Sequence, residues 1–156
     1  MATIPLRQLS SRLEKIGDEI EEGATRLTKE IVIGIVNRVA ELTPVDTGQA
    51  RSNWQVGLGA PVSGFRKPFS PIPSRWRRPY PAGGSRSERR NLLGVTSAAT
   101  GVMGRYKAGD SVYITNNLPY IGRLNQGYSR QSPAGFIRVG ISAGLRLGIK
   151  NARFKL

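Results

Sequence analysis

An apolar stripe through the first 42 positions constrains the fold of this chain more than any other feature of the sequence. Apolar residues recur at intervals of three or four, which is the spacing of one helix face. The stripe consists of Leu6, Leu9, Leu13, Ile16, Ile20, Ala24, Leu27, Ile31, Ile35, Val39 and Leu42. We therefore predict one helix in residues 1–42, beginning near residue 4, with Thr3 as its cap and Pro5 in its first turn.

A helix of this length cannot be covered by the rest of the chain. It would measure roughly 57 Å at about 1.5 Å per residue, whereas the whole chain has 156 residues. We expect its C-terminal half, Leu27 to Leu42, to pack on the chain's own sheet. We expect its N-terminal half to pack on a neighbouring subunit.

A turn after Leu42 ends this helix and sets the angle at which the chain continues. Its candidate structural residues are Thr43, Pro44, Asp46, Thr47 and Gly48. Pro44 disfavours helical geometry at the preceding residue and cannot donate a hydrogen bond to a continuing helix. Asp46 can accept from nearby backbone N–H groups, and Gly48 tolerates a positive φ. The alternation from Trp54 to Leu58 then predicts a half-buried strand.

The remaining sequence completes a single α+β domain over residues 1–156. Ser85 to Tyr106 predicts a helix, although glycines weaken it. Val112 to Thr115 alternates and predicts a second strand of a small antiparallel sheet. Ser132-Pro133 is a good cap and first helical position for a C-terminal helix. Residues 136–149 are apolar at both helical and alternating spacing, so periodicity leaves helix and strand open.

Residues 60–84 differ in composition from everything around them. They hold six of the ten prolines and five basic residues, with no acidic residue. Prolines at this density exclude a helix or a central strand, so we predict an extended Pro/Arg-rich arm, with a flexible solvated loop as the alternative. The candidate contacts to subunits or nucleic acid are Arg66, Lys67, Arg75, Trp76, Arg77, Arg78, Tyr80, Arg86, Arg89 and Arg90.

Composition disfavours most enzyme classes. The chain has neither cysteine nor histidine, so disulfides, thiol chemistry, the usual transition-metal ligands and the commonest general base are all missing. We expect no enzyme activity, cofactor or metal. No run of eighteen apolar residues and no apolar secretion signal is present, so we expect no membrane span and a protein kept in the cytoplasm.

The positive charge is concentrated after the first helix. Residues 1–42 carry six Lys/Arg against seven Asp/Glu, a net of −1. Residues 43–156 carry eighteen against three, a net of +15, and the two add up to the total of +14. A field of this size predicts an acidic neighbour, either nucleic acid or a protein surface.

Three segments resemble the neck or tail-completion proteins of long-tailed bacteriophages, a group that overlaps the minor tail protein Z family. They are Thr43 to Val56 (TPVDTGQARSNWQV), Ser111 to Tyr128 (SVYITNNLPYIGRLNQGY) and Ser132 to Ile137 (SPAGFI), and they occur in the family's order. The resemblance implies a helix at residues 136–149. The arm is unusually proline-rich for the family, so the resemblance implies no role for it.

The same resemblance implies a structural protein of the virion, at the head–tail interface or tail tip, that is assembled in the host cytoplasm. It implies a homo-oligomeric ring, six- or twelve-fold, in contact with other neck and tail proteins. Genomic DNA would pass through the lumen without being read for sequence. Because the arginines lie on a Gly- and Pro-bounded stretch and not on a rigid helix, we expect them to face protein partners more than bases.

Two other functions remain open at this stage. A basic nucleic-acid-binding protein outside a virion would need the same charge but no ring. An aspartic protease is the third hypothesis, because Asp46-Thr47-Gly48 is also the triplet of that class. In those enzymes two such carboxylates share a proton, so this chain would have to dimerise, and its triplet follows a helix where theirs follows a strand.

Overall fold

The computed structural model describes residues 5–72 and 86–152, and the α+β class predicted from the sequence is confirmed. In chain order the elements are α1 (Leu6–Leu42), α2 (Gln49–Ser52), β1 (Gln55–Leu58), α3 (Arg86–Met103), β2 (Val112–Thr115), α4 (Ile121–Asn125) and α5 (Phe136–Ala152). None of the described helices combines the length and apolar character that crossing a bilayer requires.

The two strands form one antiparallel sheet, in which Gln55 pairs with Thr115 and Leu58 pairs with Val112. The second strand has the predicted bounds. The first begins one residue later than predicted, because Trp54 is the buried link between the short helix α2 and β1. A two-stranded sheet cannot form a core by itself, and here β1 packs on α3.

The predicted long helix is confirmed as α1, which begins at Leu6 directly after Pro5. The predicted cap Thr3 lies outside the described residues. The main partner of α1 is α5, followed by α3, whereas we had expected its second half to lie on the sheet. The close packing of α1 on α5 has a steric cause in the glycines of α5.

Three glycines at intervals of four residues let α5 approach α1 backbone to backbone. We call Gly140, Gly144 and Gly148 the glycine seam. A Cβ atom on Gly144 would lie 2.4 Å from the Cα of Ile35, and one on Gly148 would lie 2.4 Å from the Cα of Ile31. Because higher seam numbers meet lower α1 numbers, the two helices are antiparallel. Small residues at this spacing permit a closer approach than ordinary side chains allow.

The hydrophobic core lies where the second half of α1 meets α3, β1 and the start of α5. Its buried members are Val32, Val36, Val39, Ala40, Trp54, Val56, Val95, Ala99, Met103 and Phe136. Val95, Ala99 and Met103 follow one another at intervals of four, so they share one face of α3. Phe136 is fully buried and anchors the first turn of α5 in this core.

The helices α3 and α5 lie where helices were predicted, but the start of α5 differs from the prediction. The helix predicted within Ser85 to Tyr106 is confirmed as α3, and residues 136–149 are helical, as the resemblance implied. The predicted cap of the last helix is wrong. That helix begins at Phe136, directly after Gly135 with φ 76°. Ser132 instead donates its hydroxyl hydrogen to the carbonyl oxygen of Leu42.

The predicted Pro/Arg-rich arm, residues 60–84, is described only in its first half. Residues 60–72 contain no helix or strand, as predicted, yet they are hydrogen-bonded to the body and are not a free solvated loop. Ile72 is buried, and its N–H donates to the carbonyl oxygen of Thr47 at 3.1 Å. The rest of the predicted arm, 73–84, lies outside the described residues.

Candidate functional site

The turn at residues 43–48 joins the end of α1 to the start of the sheet. Thr43 is buried, and its hydroxyl donates to the carbonyl oxygen of Val39 at 2.6 Å. The same hydroxyl accepts from the indole N–H of Trp54 at 2.8 Å. One side chain therefore satisfies a helix-end carbonyl and the polar atom of the largest core aromatic.

Gly48 is required at its position for two independent reasons. Its φ is 84°, in the left-handed region that favours glycine. A Cβ atom there would lie 2.3 Å from the side-chain nitrogen of Asn91. The hydroxyl of Thr47 also accepts from the N–H of Gln49 at 3.4 Å, at the start of α2. The predicted turn is thus held by its neighbours as well as by its own residues.

Three side-chain amides each pair with the N–H and the C=O of one distant residue, as a neighbouring strand would. Asn53 pairs in this way with Arg66, at 2.7 and 2.8 Å. The amide of Asn91 pairs with Ser70 at 2.7 and 2.9 Å. The amide of Gln131 pairs with Val45 at 2.7 and 3.1 Å. We call these three contacts the amide bridges.

The amide bridges explain why the irregular segments are ordered. Two of them fasten residues 66–70 to α2 and α3, and the third fastens the turn at Val45 to the loop before α5. Asn53 and Asn91 are fully buried. Their hydrogen-bonding groups would be costly to leave without partners at these depths. Sequence reasoning missed all three amides; their only signal is that polar residues stand inside otherwise apolar or turn-forming stretches.

The three segments that carry the family resemblance come together in space. The side chain of Asn116 donates to the carbonyl oxygen of Ala50 at 2.9 Å, which links the second segment to the first. The side chain of Asn125 accepts from the N–H of Ile137 at 3.0 Å, which links the second to the third. These contacts make one polar junction, centred on the turn and bordered by α4.

A cleft of about 370 Å³ opens beside this junction. Its lining residues are Pro44, Asp46, Thr47, Gln49, Ala50, Tyr120, Leu124, Tyr128, Ser129 and Gln131. Burial raises the pKa of Tyr120, and the negative charge of Asp46 raises this pKa further. The phenol therefore stays protonated and able to donate a hydrogen bond well into the alkaline range.

The lining of the cleft offers groups that can form hydrogen bonds to a partner. Asp46 is the one carboxylate in its lining, so the protease hypothesis would need a second aspartate from another copy. Among residues 5–72 and 86–152, no three histidine, cysteine or acidic side chains cluster in a way that could hold a metal ion. A protonated phenol and an amide can bind polar groups of a partner, but they form no nucleophile–base pair.

The predicted basic residues do not form one surface. Arg66 is half-buried; its guanidinium lies over the ring of Phe69, 5.1 Å from the centroid, and its backbone is held by Asn53. Lys67 is exposed. Three exposed arginines share the first two turns of α3: Arg86, Arg89 and Arg90. For these three, the expectation that the arginines do not lie on a regular helix is wrong. The other predicted contacts lie outside the described residues, namely Arg75, Trp76, Arg77, Arg78 and Tyr80.

The first half of α1 lies outside the body of the molecule. Every residue from 6 to 22 is exposed, and we call this segment the overhang. Its apolar stripe is exposed as well, between 45% at Leu9 and 82% at Leu6. Residues 14–22 add five acidic side chains against one lysine. The overhang is thus an apolar stripe next to a mainly acidic surface.

A second apolar face is exposed on the flank of α5, about 100° around the helix from the glycine seam. Ile141, Leu145 and Ile149 lie at intervals of four along this helix, each 40–49% exposed. The adjacent line of the same helix carries the exposed basic residues Arg138, Arg146 and Lys150. We call these six residues the α5 outer face. It combines an apolar line with a basic line.

No protein-family model, curated protein or solved structure matches this chain.

Proposed function

We propose that the protein is a structural component of the virion of a long-tailed bacteriophage. In this proposal it forms a ring at the head–tail joint, as a neck, tail-completion or tail-terminator protein, and the phage DNA passes through the ring. The observation that carries the proposal is the overhang, a helical segment of roughly 25 Å whose residues from 6 to 22 are all exposed. Monomeric proteins rarely expose a continuous apolar stripe of this kind without a binding partner.

The polar junction supports the same proposal. The three segments that resemble neck and tail-completion proteins are far apart in the chain, yet they form one hydrogen-bonded unit around the turn. Residues selected as a unit for one role in assembly are expected to be placed together. The cleft at this junction offers hydrogen-bonding groups to a partner and no catalytic pair.

The charge distribution supports a channel. The net charge of +15 on residues 43–156 would neutralise phosphate repulsion as DNA passes. Exposed arginines are spread over several described elements, for example Arg12 in α1, Arg89 in α3 and Arg146 in α5, and are not gathered on one recognition helix in register with base edges. DNA binding is therefore expected to be weak, steeply dependent on salt and indifferent to sequence.

Solution mass and electron microscopy test the proposal. We expect the purified protein to form a closed ring, alone or on addition of its neck and tail partners. A phage in which this gene carries an early stop codon should produce filled heads and finished tails that fail to join. A normal yield of infectious particles from that mutant would overturn the proposal.

A second candidate is a basic nucleic-acid-binding protein outside a virion. The three exposed arginines of α3 favour it, because cations near a helix N-terminus are electrostatically unfavourable and gain a partner when a phosphate binds. This candidate predicts a monomer that retards unrelated DNA duplexes equally, with binding lost between low and moderate salt. A defined oligomer with weak DNA binding would favour the ring.

A further inference from the structure

The overhang and the α5 outer face are two uncovered apolar surfaces on one chain, and each is suited to cover the other. The first is an apolar stripe beside acidic residues, and the second is an apolar line beside basic residues. We propose that the overhang of each copy docks on the α5 outer face of a second copy. This inference rests on the proposed function, because it names the contact by which the ring would form.

The overhang cannot reach the α5 outer face of its own chain. It continues the same helix that packs on the glycine seam, and Gly148 already faces Ile31. Four residues further along, Ala152 lies one turn beyond, near Leu27. The overhang therefore points past the described end of α5, and no described part of its own chain covers it.

The two surfaces are similar in length and in chemistry. The overhang spans residues 6–22, roughly 25 Å of helix, and the α5 outer face spans residues 138–150, roughly 20 Å. Both stripes are aliphatic, so packing one against the other removes apolar surface from water on both sides.

The charges set the direction in which the two helices align. Acidic residues dominate the C-terminal half of the overhang, whereas Arg7 and Arg12 lie in its N-terminal half. Arg146 and Lys150 lie in the C-terminal half of α5. A parallel arrangement brings the acidic half onto these two cations. An antiparallel arrangement would instead bring the two overhang arginines onto them.

A contact between two different surfaces has a consequence for symmetry. Each copy offers one overhang and one α5 outer face, so each copy can bind one neighbour on either side. Such head-to-tail contacts close into a ring when the rotation between copies allows it. A two-fold contact between two overhangs is the rival arrangement, since Leu6, Leu9, Leu13, Ile16 and Ile20 alternate in spacing as a coiled-coil seam does. The rival would leave the α5 outer face uncovered.

A mixing experiment on the full chain separates these arrangements. The overhang variant carries Leu13→Asp and Ile16→Asp, and the face variant carries Leu145→Asp and Ile149→Asp. All four side chains are 40–60% exposed in the monomer, so both variants are expected to fold, which circular dichroism verifies. Leu93→Asp is the matched control, because Leu93 is 68% exposed on α3, away from both surfaces.

The masses by sedimentation decide the outcome. We expect the parent and the control to form the same oligomer, and each variant alone to need about tenfold or more protein for assembly. Mixed together, the two variants should form a one-to-one heterodimer, because one intact overhang then meets one intact α5 outer face. A face variant that assembles like the parent would overturn the inference and favour the coiled coil. A parent that stays monomeric at all concentrations, or a mixture that stays monomeric, would overturn it as well.

Cross-linking gives an independent reading of the same contact. The chain contains no cysteine, so Ile20→Cys in one copy and Ile149→Cys in another provide the only two thiols. Oxidation should link the mixed pair faster than either variant with itself. Self-linking of Ile20→Cys at an equal rate would contradict the docking.

The inference and the proposed function can fail separately. A ring that assembles without this contact would overturn the inference and leave the proposed function. If the protein forms the head-to-tail oligomer but the phage joins heads to tails without it, the inference stands and the proposed function is overturned.

Discussion

At the scale of single residues, side-chain amides take the place of backbone pairing in the irregular parts of this protein. Each amide bridge satisfies both polar groups of one residue that has no strand beside it. Asn91 does more than the other two, because its oxygen also accepts from the hydroxyl of Ser52 at 3.1 Å. It joins α2, α3 and the segment at Ser70 in one buried site.

Replacing Asn91 by leucine should therefore destabilise the fold strongly. The change leaves the N–H and C=O of Ser70 without their amide partner. It also removes the acceptor of the Ser52 hydroxyl, and the total cost is about 3 kcal/mol in the free energy of unfolding. Urea denaturation measures this, with the exposed Asn151→Leu as the control that should change stability little. Equal midpoints for the two variants would contradict the role given to the amide.

The pKa of Tyr120 makes a second prediction at this scale. Because burial and the charge of Asp46 raise this pKa above its usual 10.0, the folded protein holds the phenolic proton more tightly than the unfolded chain does. The stabilisation is fully present below about pH 10 and is lost as the pH rises through the folded-state pKa.

Tyr120→Phe removes this group from the titration. We expect the stability of the variant to fall less steeply than that of the parent between about pH 9.5 and 11, as measured by thermal unfolding at a series of pH values. Tyr113→Phe serves as the control, since Tyr113 has similar exposure at 39%. Parallel curves for the parent and Tyr120→Phe would show that Tyr120 does not contribute.

At the scale of elements, the glycine seam decides how the helices are arranged. It brings the α5 backbone against residues 31–39 of α1, so that α5 and not the sheet is the main partner of α1. The sheet remains a two-stranded structure on α3. The architecture thus depends on what three residues lack, namely a Cβ atom.

Gly144→Ala tests this reading of the seam. The added Cβ would meet the Cα of Ile35 at 2.4 Å and the carbonyl oxygen of Gly34 at 2.5 Å. Since both atoms are backbone, the helices would have to separate, at a cost of about 2 kcal/mol or more. Gly101→Ala in α3 meets nothing within 4 Å and should stabilise by up to about 1 kcal/mol through helix propensity. Thermal unfolding that ranks the two in the opposite order would contradict the seam.

Local sequence signals predicted α1, α3 and both strands but not their contacts; they missed α2, and α5 followed from the family resemblance because periodicity left it open. The apolar stripe, Pro44 and Gly48 gave α1 and its end, and alternation gave both strands, because these patterns act over a few neighbouring residues. The amide bridges connect residues 13 to 86 positions apart, and no periodicity reports such pairs. The seam did carry a signal, small residues at every fourth position from Gly140 to Ala152, which apolar periodicity alone does not register.

At the scale of the whole molecule, charge and exposure divide the chain into two parts. The overhang is mainly acidic in its second half and carries an uncovered apolar stripe, whereas the body carries nearly all of the positive charge. Because one end of each copy is acidic and the other part is basic, the acidic end of one copy attracts the basic part of the next. We expect residues 74–84 of the Pro/Arg-rich arm to contribute to assembly and not to folding.

Exchanging residues 74–84 for a Gly/Ser segment of equal length separates these two roles. All the hydrogen bonds described for residues 66–72 remain, so the melting temperature should stay within about 3 °C of the parent, while assembly measured by sedimentation should weaken. The same exchange over residues 62–72 keeps the backbone groups of the amide bridges but removes the buried side chain of Ile72 and the Phe69 ring that packs on Gly94. It should therefore lower the melting temperature far more than the first exchange does. Equal effects of the two exchanges on melting would refute the division of the arm.

The continuity of α1 from Leu6 to Leu42 makes the overhang a rod with a fixed angular phase. One residue inserted between the overhang and the seam would turn the apolar stripe by about 100° around the helix axis and advance it by about 1.5 Å. Seven inserted residues would return the stripe to within about 20° of its original orientation and shift it by roughly 10 Å along the helix axis. Evolution could therefore lengthen this rod in steps of seven or eleven residues, widening the spacing between neighbouring copies without redesigning either surface.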